Sequence, residues 1–276
     1  MFYTEFPPSP ALSPYLRCIW VFETSANDDA DGEQRIVPDG HPEMVLHYGD
    51  CFHEVRDDAA VAQSRLLFAG QISRPLLLRP GARAGVIGIR FQAAAARALL
   101  GMSMLENTDT RLDLTQAWGR DGESLLDEVH SAVGIGERVS AVERFLIRRF
   151  KKSATLPDRA VTHSVDILHA AAGRITIDDL AARCGLSARQ LERRFLDEVG
   201  IPPRLLASIF RFRRVFDLLE QPQPGRWIGA ALSAGYFDQA HMIRDFKRFA
   251  GQQPQAFYLS LNGLSAAMLG GDAESP

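Results

Sequence analysis

One set of residue types occurs twice, in the same order, in the C-terminal part of the chain, and nothing else in the sequence restricts the fold as strongly. Ala181, Gly185, Leu191, Arg193, Phe195, Gly200 and Pro203 form the first set; Ala231, Gly235, Met242, Arg244, Phe246, Gly251 and Pro254 form the second. The offset is 50 residues up to the glycine and 51 after it, so one residue, Phe237, is inserted in the second turn. Two copies are too few for a solenoid, which needs about three stacked units. They suit a pair of small modules, each a helix, a tight glycine-containing turn and a second helix.

The turn chemistry supports this. Thr176 with Asp179 makes a capping-box-like start, Ile177, Leu180 and Ala181 follow at helical spacing, and Gly185 stops the run. Ser187 with Gln190 opens the next helix, and Asp238 is the expected cap in the second copy. Ala188, Leu191, Phe195 and Val199 then form one apolar stripe, with Arg189, Gln190, Arg193 and Arg194 opposite. In the second copy Met242, Phe246, Phe249 and Ala250 are apolar, while Ala240, His241, Arg244, Lys247 and Arg248 face out. For one helix alone, such charges read as a solvated face. Two matched corners, each baring arginine at the same place, point instead to helices presented to a DNA groove.

The net charge of −3 does not suggest a nucleic-acid binder, but charge acts locally. Between positions 187 and 214 seven arginines face three acids. Cys18, Cys51 and Cys184 are widely spaced with no Cys-x-x-Cys, which argues against a disulfide framework or a thiolate zinc site and fits a reducing cytosol. No apolar run of about eighteen residues suggests a membrane span, and the N-terminal stretch lacks the pattern of a secretory signal. The expected location is cytoplasmic.

Residues 160–260 resemble the AraC/XylS-type transcriptional regulators, with GYFDQAHMIRDFKRFAGQQP at 235–254 similar to that family's signature. YLRCIWVFE at 15–23 and IVPDGHPEMVLHYGD at 36–50 look like an N-terminal domain found on a subset of these regulators. The resemblance implies an α+β chain: a β-rich, cupin-like sensing or dimerising domain with flanking helices over 1–152, a linker at 153–159, an all-α double helix-turn-helix domain over 160–263 and a flexible tail at 264–276. A long helix at 203–219 would join the two modules, which would enter successive major-groove segments on one face of DNA. Implied partners are double-stranded DNA, RNA polymerase, an effector of unknown identity and a second copy in a homodimer. No cofactor is expected. Ala240 takes the place that Arg189 has in the first copy.

Within the first domain, strand-like segments lie at 18–23, 44–48, 65–68, 76–78 and 86–91, and helical patterns at 93–100, 123–133 and 137–150. Val139, Val142, Leu146 and Phe150 share a helix face, suited to ordinary packing or to a dimer contact. His41, Glu43 and His47 share strand parity, but the histidines are six residues apart, roughly 20 Å along a strand, too far for one zinc ion. No metal is therefore expected. Arg90, His41, Glu43 and Trp20 are candidate effector contacts, although Arg90 in an apolar strand also suits a structural ion pair.

Arg189, Gln190, Arg193, His241 and Arg244 are expected at base edges, and Arg194, Arg204, Lys247 and Arg248 on phosphates. Two other classes compete. Some DNA-repair alkyl transferases carry an AraC-like module but need activated cysteines, which the surroundings of Cys18 and Cys51 do not supply. A sensor acting only through protein contacts is the third class. The expectation is a regulator, not an enzyme.

Overall fold

The computed structural model describes residues 1–25, 32–56, 59–152, 156–219, 226–261 and 263–270. Ten strands come first: β1 (Phe2–Phe6), β2 (Leu16–Glu23), β3 (Gln34–Ile36), β4 (Glu43–His47), β5 (His53–Arg56), β6 (Ala59–Ala62), β7 (Leu66–Ala69), β8 (Leu76–Arg79), β9 (Gly85–Phe91) and β10 (Arg111–Asp113). They form a six-stranded sheet, β1-β2-β9-β4-β7-β10, and a four-stranded sheet, β3-β8-β5-β6. The central strands are apolar on both faces because both are covered. Ile19, Val21, Met44, Leu46, Leu66 and Phe68 enter the core beneath the helices. Their alternates Cys18, Trp20, Phe22, Val45 and Leu67 enter the space between the sheets, as the two-residue repeat of a strand requires.

The helices over the first sheet are α1 (Ala96–Leu100), α2 (Leu114–Trp118), α3 (Arg120–Ser131) and α4 (Ile135–Lys152), with a 3-10 turn at Met104–Asn107. Val139, Val142 and Leu146 are buried in this domain's core, and Phe150 stacks on Tyr15 at 4.0 Å. Of the two readings of that face, ordinary packing holds, since the domain's own core covers these residues.

The C-terminal helices are α5 (Arg159–Ala170), α6 (Ile177–Arg183), α7 (Ala188–Val199), α8 (Pro203–Asp217), α9 (Arg226–Ala234), α10 (Gln239–Phe249), α11 (Pro254–Leu259) and α12 (Gly263–Gly270). The 153–159 segment ends inside α5, whose first turn is capped by the Asp158 carboxylate; 153–155 lie outside the described residues. Helix α8 joins the two modules, its Phe212 ring lying 4.8 Å from Phe246 and 5.4 Å from Phe249. Among the described residues no helix is long and apolar enough to cross a membrane.

The flexible tail expected over 264–276 is a second correction. Leu264 (1% exposed) and Met268 (9%) sit in the core between the sheets with Trp20, Phe52 and Leu78. They are four residues apart and so share one face of α12, which the apolar end of the first domain receives. Residues 271–276 lie outside those described.

Candidate nucleic-acid interface and effector cavity

The two corners are built alike. Leu186 and Tyr236 each donate a backbone hydrogen bond, at 2.9 Å, to the carbonyls of Ala181 and Ala231 respectively. Gly185 (φ 68°) and Gly235 (φ 95°) turn the chain through the left-handed region at equivalent points. Thr176 accepts from the Asp179 amide (3.1 Å), Ser187 from the Gln190 amide (3.3 Å) and Asp238 from the His241 amide (2.7 Å). The Gln190 side chain returns to the Ser187 amide at 3.0 Å, completing a capping box. Phe237, the inserted residue, is 88% exposed.

Leu191, Phe195 and Val199 of α7, and Met242, Phe246 and Phe249 of α10, are buried. Arg189, Gln190, Arg193, Arg204, Ala240, Arg244, Lys247 and Arg248 are exposed, and Arg194 and His241 half-buried. Two assignments carry an internal commitment. Arg194 pairs with Asp158 at 3.2 Å, and the His241 ring lies edge-on to Tyr236 at 5.0 Å. Burial raises the Asp245 carboxyl above its usual range, against the lowering pull of Tyr236, His241 and Arg211.

The arginine surplus between 187 and 214 is only partly a surface. Arg213 is buried and donates to the carbonyls of Met268 (3.1 Å) and Leu269 (3.4 Å). Arg211 donates to the Gly173 carbonyl at 3.1 Å, and Arg214 pairs with Asp217 at 3.4 Å.

Both α7 and α10 end against the first domain. The Thr108 hydroxyl donates to the Gly200 carbonyl at 2.7 Å, and Arg97 pairs with Glu198 (2.9 Å) and Asp197 (3.2 Å). At the matched end of α10, Arg35 donates to the Ala250 carbonyl at 3.2 Å. The packing there is close. A Cβ at Gly200 would lie 2.7 Å from the Met104 carbonyl oxygen, and one at Gly251 3.2 Å from Arg35 Nη1. These two contacts were not legible in the sequence, because Thr108 and Arg35 stand far from the repeats they touch.

Trp20, His41 and Glu43 line a cavity between the two sheets, together with Gln63, Arg111, Leu264 and Met268. Arg90 stands behind Glu43, 1% exposed, facing Glu43 (2.9 Å), Asp39 (3.4 Å) and Glu5 (3.7 Å). The ion-pair alternative for this residue therefore describes its surroundings, and it does not reach the cavity. Burial of Glu43 pushes its carboxyl up, against the lowering pull of Arg90. His41 Nδ1 lies 2.8 Å from the Phe91 carbonyl and His47 Nε2 3.2 Å from Gln63 Oε1, so the two rings are engaged separately. The described residues contain no metal-ligand cluster.

Two capped corners on one connecting helix, each with a basic outer face, define a double helix-turn-helix DNA-binding protein. Residues 180–258 match the family described as a helix-turn-helix domain, and residues 4–113 a domain of unknown function (DUF6597). No curated protein sequence matches the chain. A structure of ToxT from Vibrio cholerae overlays with a TM-score of 0.47 at 15% identity, covering 89% of this chain and 98% of that one. Wild-type ToxT of V. cholerae strain SCE256 bound to an unsaturated fatty acid gives 0.44 at 14%, covering 89% and 95%. The AraC-like transcriptional activator CuxR gives 0.24 at 13%, covering 83% and 91%. The chain therefore carries a helix-turn-helix domain over 180–258, the kind of module that presents a helix to a DNA groove.

Proposed function

We propose that α7 and α10 enter two major-groove segments about one helical turn, 10–10.5 base pairs, apart. Arg189, Arg193, His241 and Arg244 meet base edges there, while Arg204, Lys247 and Arg248 hold phosphates, joined by Arg194 when it leaves Asp158. Gln190 spends its side-chain oxygen on the cap, so its amide nitrogen makes its base contact. The observation that carries this reading is the matched exposure of Arg193 and Arg244 on helices whose opposite faces are buried. The two copies differ, with Ala240 opposite Arg189, so one chain favours a non-palindromic site. The first domain senses a small effector or pairs two chains, and the complex acts on RNA polymerase in the cytoplasm.

An enzymatic reading is disfavoured by the thiols. Burial pushes Cys18 up to about 12 and raises Cys51 and Cys184, opposite to the shift a nucleophile needs.

Selection from random duplexes supplies a site for titration over several salt concentrations. Arg193→Ala should lower affinity for that site more than for a scrambled one, by about 1–3 kcal/mol of discrimination. Lys247→Ala should weaken both alike and flatten the salt slope by about 0.9. Equal losses on both duplexes for Arg193→Ala would remove the base-reading assignment, and a footprint much shorter than two turns would remove dual insertion.

A further inference from the structure

A row of side chains set opposite one another across the first sheet forms the cavity floor at Arg111, Ala69 and Glu43 and ends beyond it at Arg90. Arg111 pairs with Ala69, Ala69 with Glu43, and Glu43 with Arg90. Partners in such a row share a face, with strands about 4.8 Å apart. Ala69 therefore leaves a methyl-sized step between a guanidinium and a carboxylate whose strands are about 10 Å apart. Both groups have partners, Glu43 accepting from Trp20 (3.0 Å) and Arg90 (2.9 Å) and Arg111 Nη1 donating to the Thr110 carbonyl (2.8 Å), but charge is unevenly balanced on each side. Arg111 Nε makes no hydrogen bond among the described residues, and its acid partner, Glu54 at 3.5 Å, is shared with Arg56 at 2.7 Å. On the other side three carboxylates, Glu5, Asp39 and Glu43, face the single cation Arg90. Around this recess the walls are apolar, including Trp20, Val45, Phe52 and Leu78.

Helix α12 closes the cavity from the far end of the chain, putting Leu264 and Met268 among those walls. The cavity volume is about 60 Å3, room for a few waters at roughly 10–15 Å3 each. A branched apolar side chain enters only by taking the place of one that α12 has put there. The helix is held at both ends: the Ser265 amide donates to Gln34 Oε1 at 3.3 Å, and Arg213 of α8 holds the Met268 and Leu269 carbonyls.

We infer that this cavity is a ligand site for a small zwitterion with an apolar body, of the free amino-acid class, and that α12 is its built-in competitor. The ligand's ammonium meets the Asp39–Glu43 side, its carboxylate meets Arg111, and its body replaces Leu264 and Met268. Departure of α12 frees Arg213 on the helix that joins the two modules, and frees Gln34 beside Arg35, which holds the end of α10. This rests on the effector-sensing reading of the first domain for its consequence, but not for the binding itself.

Calorimetric titration of the full chain with L-leucine, 3-methylbutylamine and 4-methylpentanoate tests it, because the last two each lack one charge. L-Leucine should bind at least tenfold more tightly than either. A closed state that must open first lowers apparent affinity by the open fraction, so Leu264→Ala should tighten L-leucine binding at least tenfold. Met268→Ala carries the same expectation should Leu264→Ala fail to fold. Absence of binding to both wild type and variant overturns the site. Equal affinity of the three probes overturns the ligand class, and equal affinity of wild type and variant overturns the competition. A ligand that binds as expected yet leaves DNA affinity unchanged sustains the site and sinks the sensing reading instead.

Discussion

His47 sits on β4 with its ring against Phe52 and only 1% of its surface exposed. Burial lowers its pKa from 6.5 to about 4, so between those values the unfolded chain takes up a proton that the folded one refuses. Stability should therefore fall as pH drops from 6.5 towards 4, by up to roughly 3 kcal/mol. Glu43 is raised by burial and works in the opposite sense, losing stability as pH rises through its folded pKa. Urea unfolding of wild type and His47→Asn across this range isolates the histidine, and parallel pH profiles would refute its role. At this scale the outward charges of α7 and α10 were legible, since helical periodicity separates them from the buried stripe. His41 and Glu43 were legible together by strand parity, which also grouped His47, a residue that does not line the cavity, while Trp20 was read separately as core or pocket wall. Arg213 and Arg111 were not. The first meets carbonyls 55 residues further on. The second lies in a strand of three residues, too short to show alternation.

Capping explains why the corners fall where they do. Ser187 holds the Gln190 amide and receives the Gln190 side chain on its own amide, so Ser187→Ala should cost about 1 kcal/mol. The matching loss at α10 should follow Asp238→Ala, and thermal unfolding reads both. No change for either would mean that packing alone starts these helices. The helices and the central strands were readable because each carries a complete period of buried residues. Strands β1, β3, β5, β6 and β10 were missed for the converse reason. They are short or lie at sheet edges, and β6 is exposed throughout. Helix α12 was read as a tail because its sequence is apolar and small all round, without a stripe. What orders it is a surface contributed by strands more than 170 residues earlier.

Across the whole molecule, Thr108 and Arg35 fasten equivalent ends of α7 and α10 to one domain, so that domain as well as α8 sets the distance between these two helices. Inserting one base pair between half-sites should cost wild type about tenfold in affinity, and Thr108→Val with Arg35→Met should reduce that penalty. An unchanged penalty would show that α8 alone fixes the spacing. The position of α12 has a consequence for biosynthesis. The last strand of the first domain ends at Asp113, but among the described residues its apolar cleft is closed by Leu264 and Met268, far later in the chain. At ribosomal speeds of about 5–20 residues per second, that interval lasts roughly 8–30 seconds. During this time the nascent chain carries an open greasy mouth, a natural holding point for a chaperone.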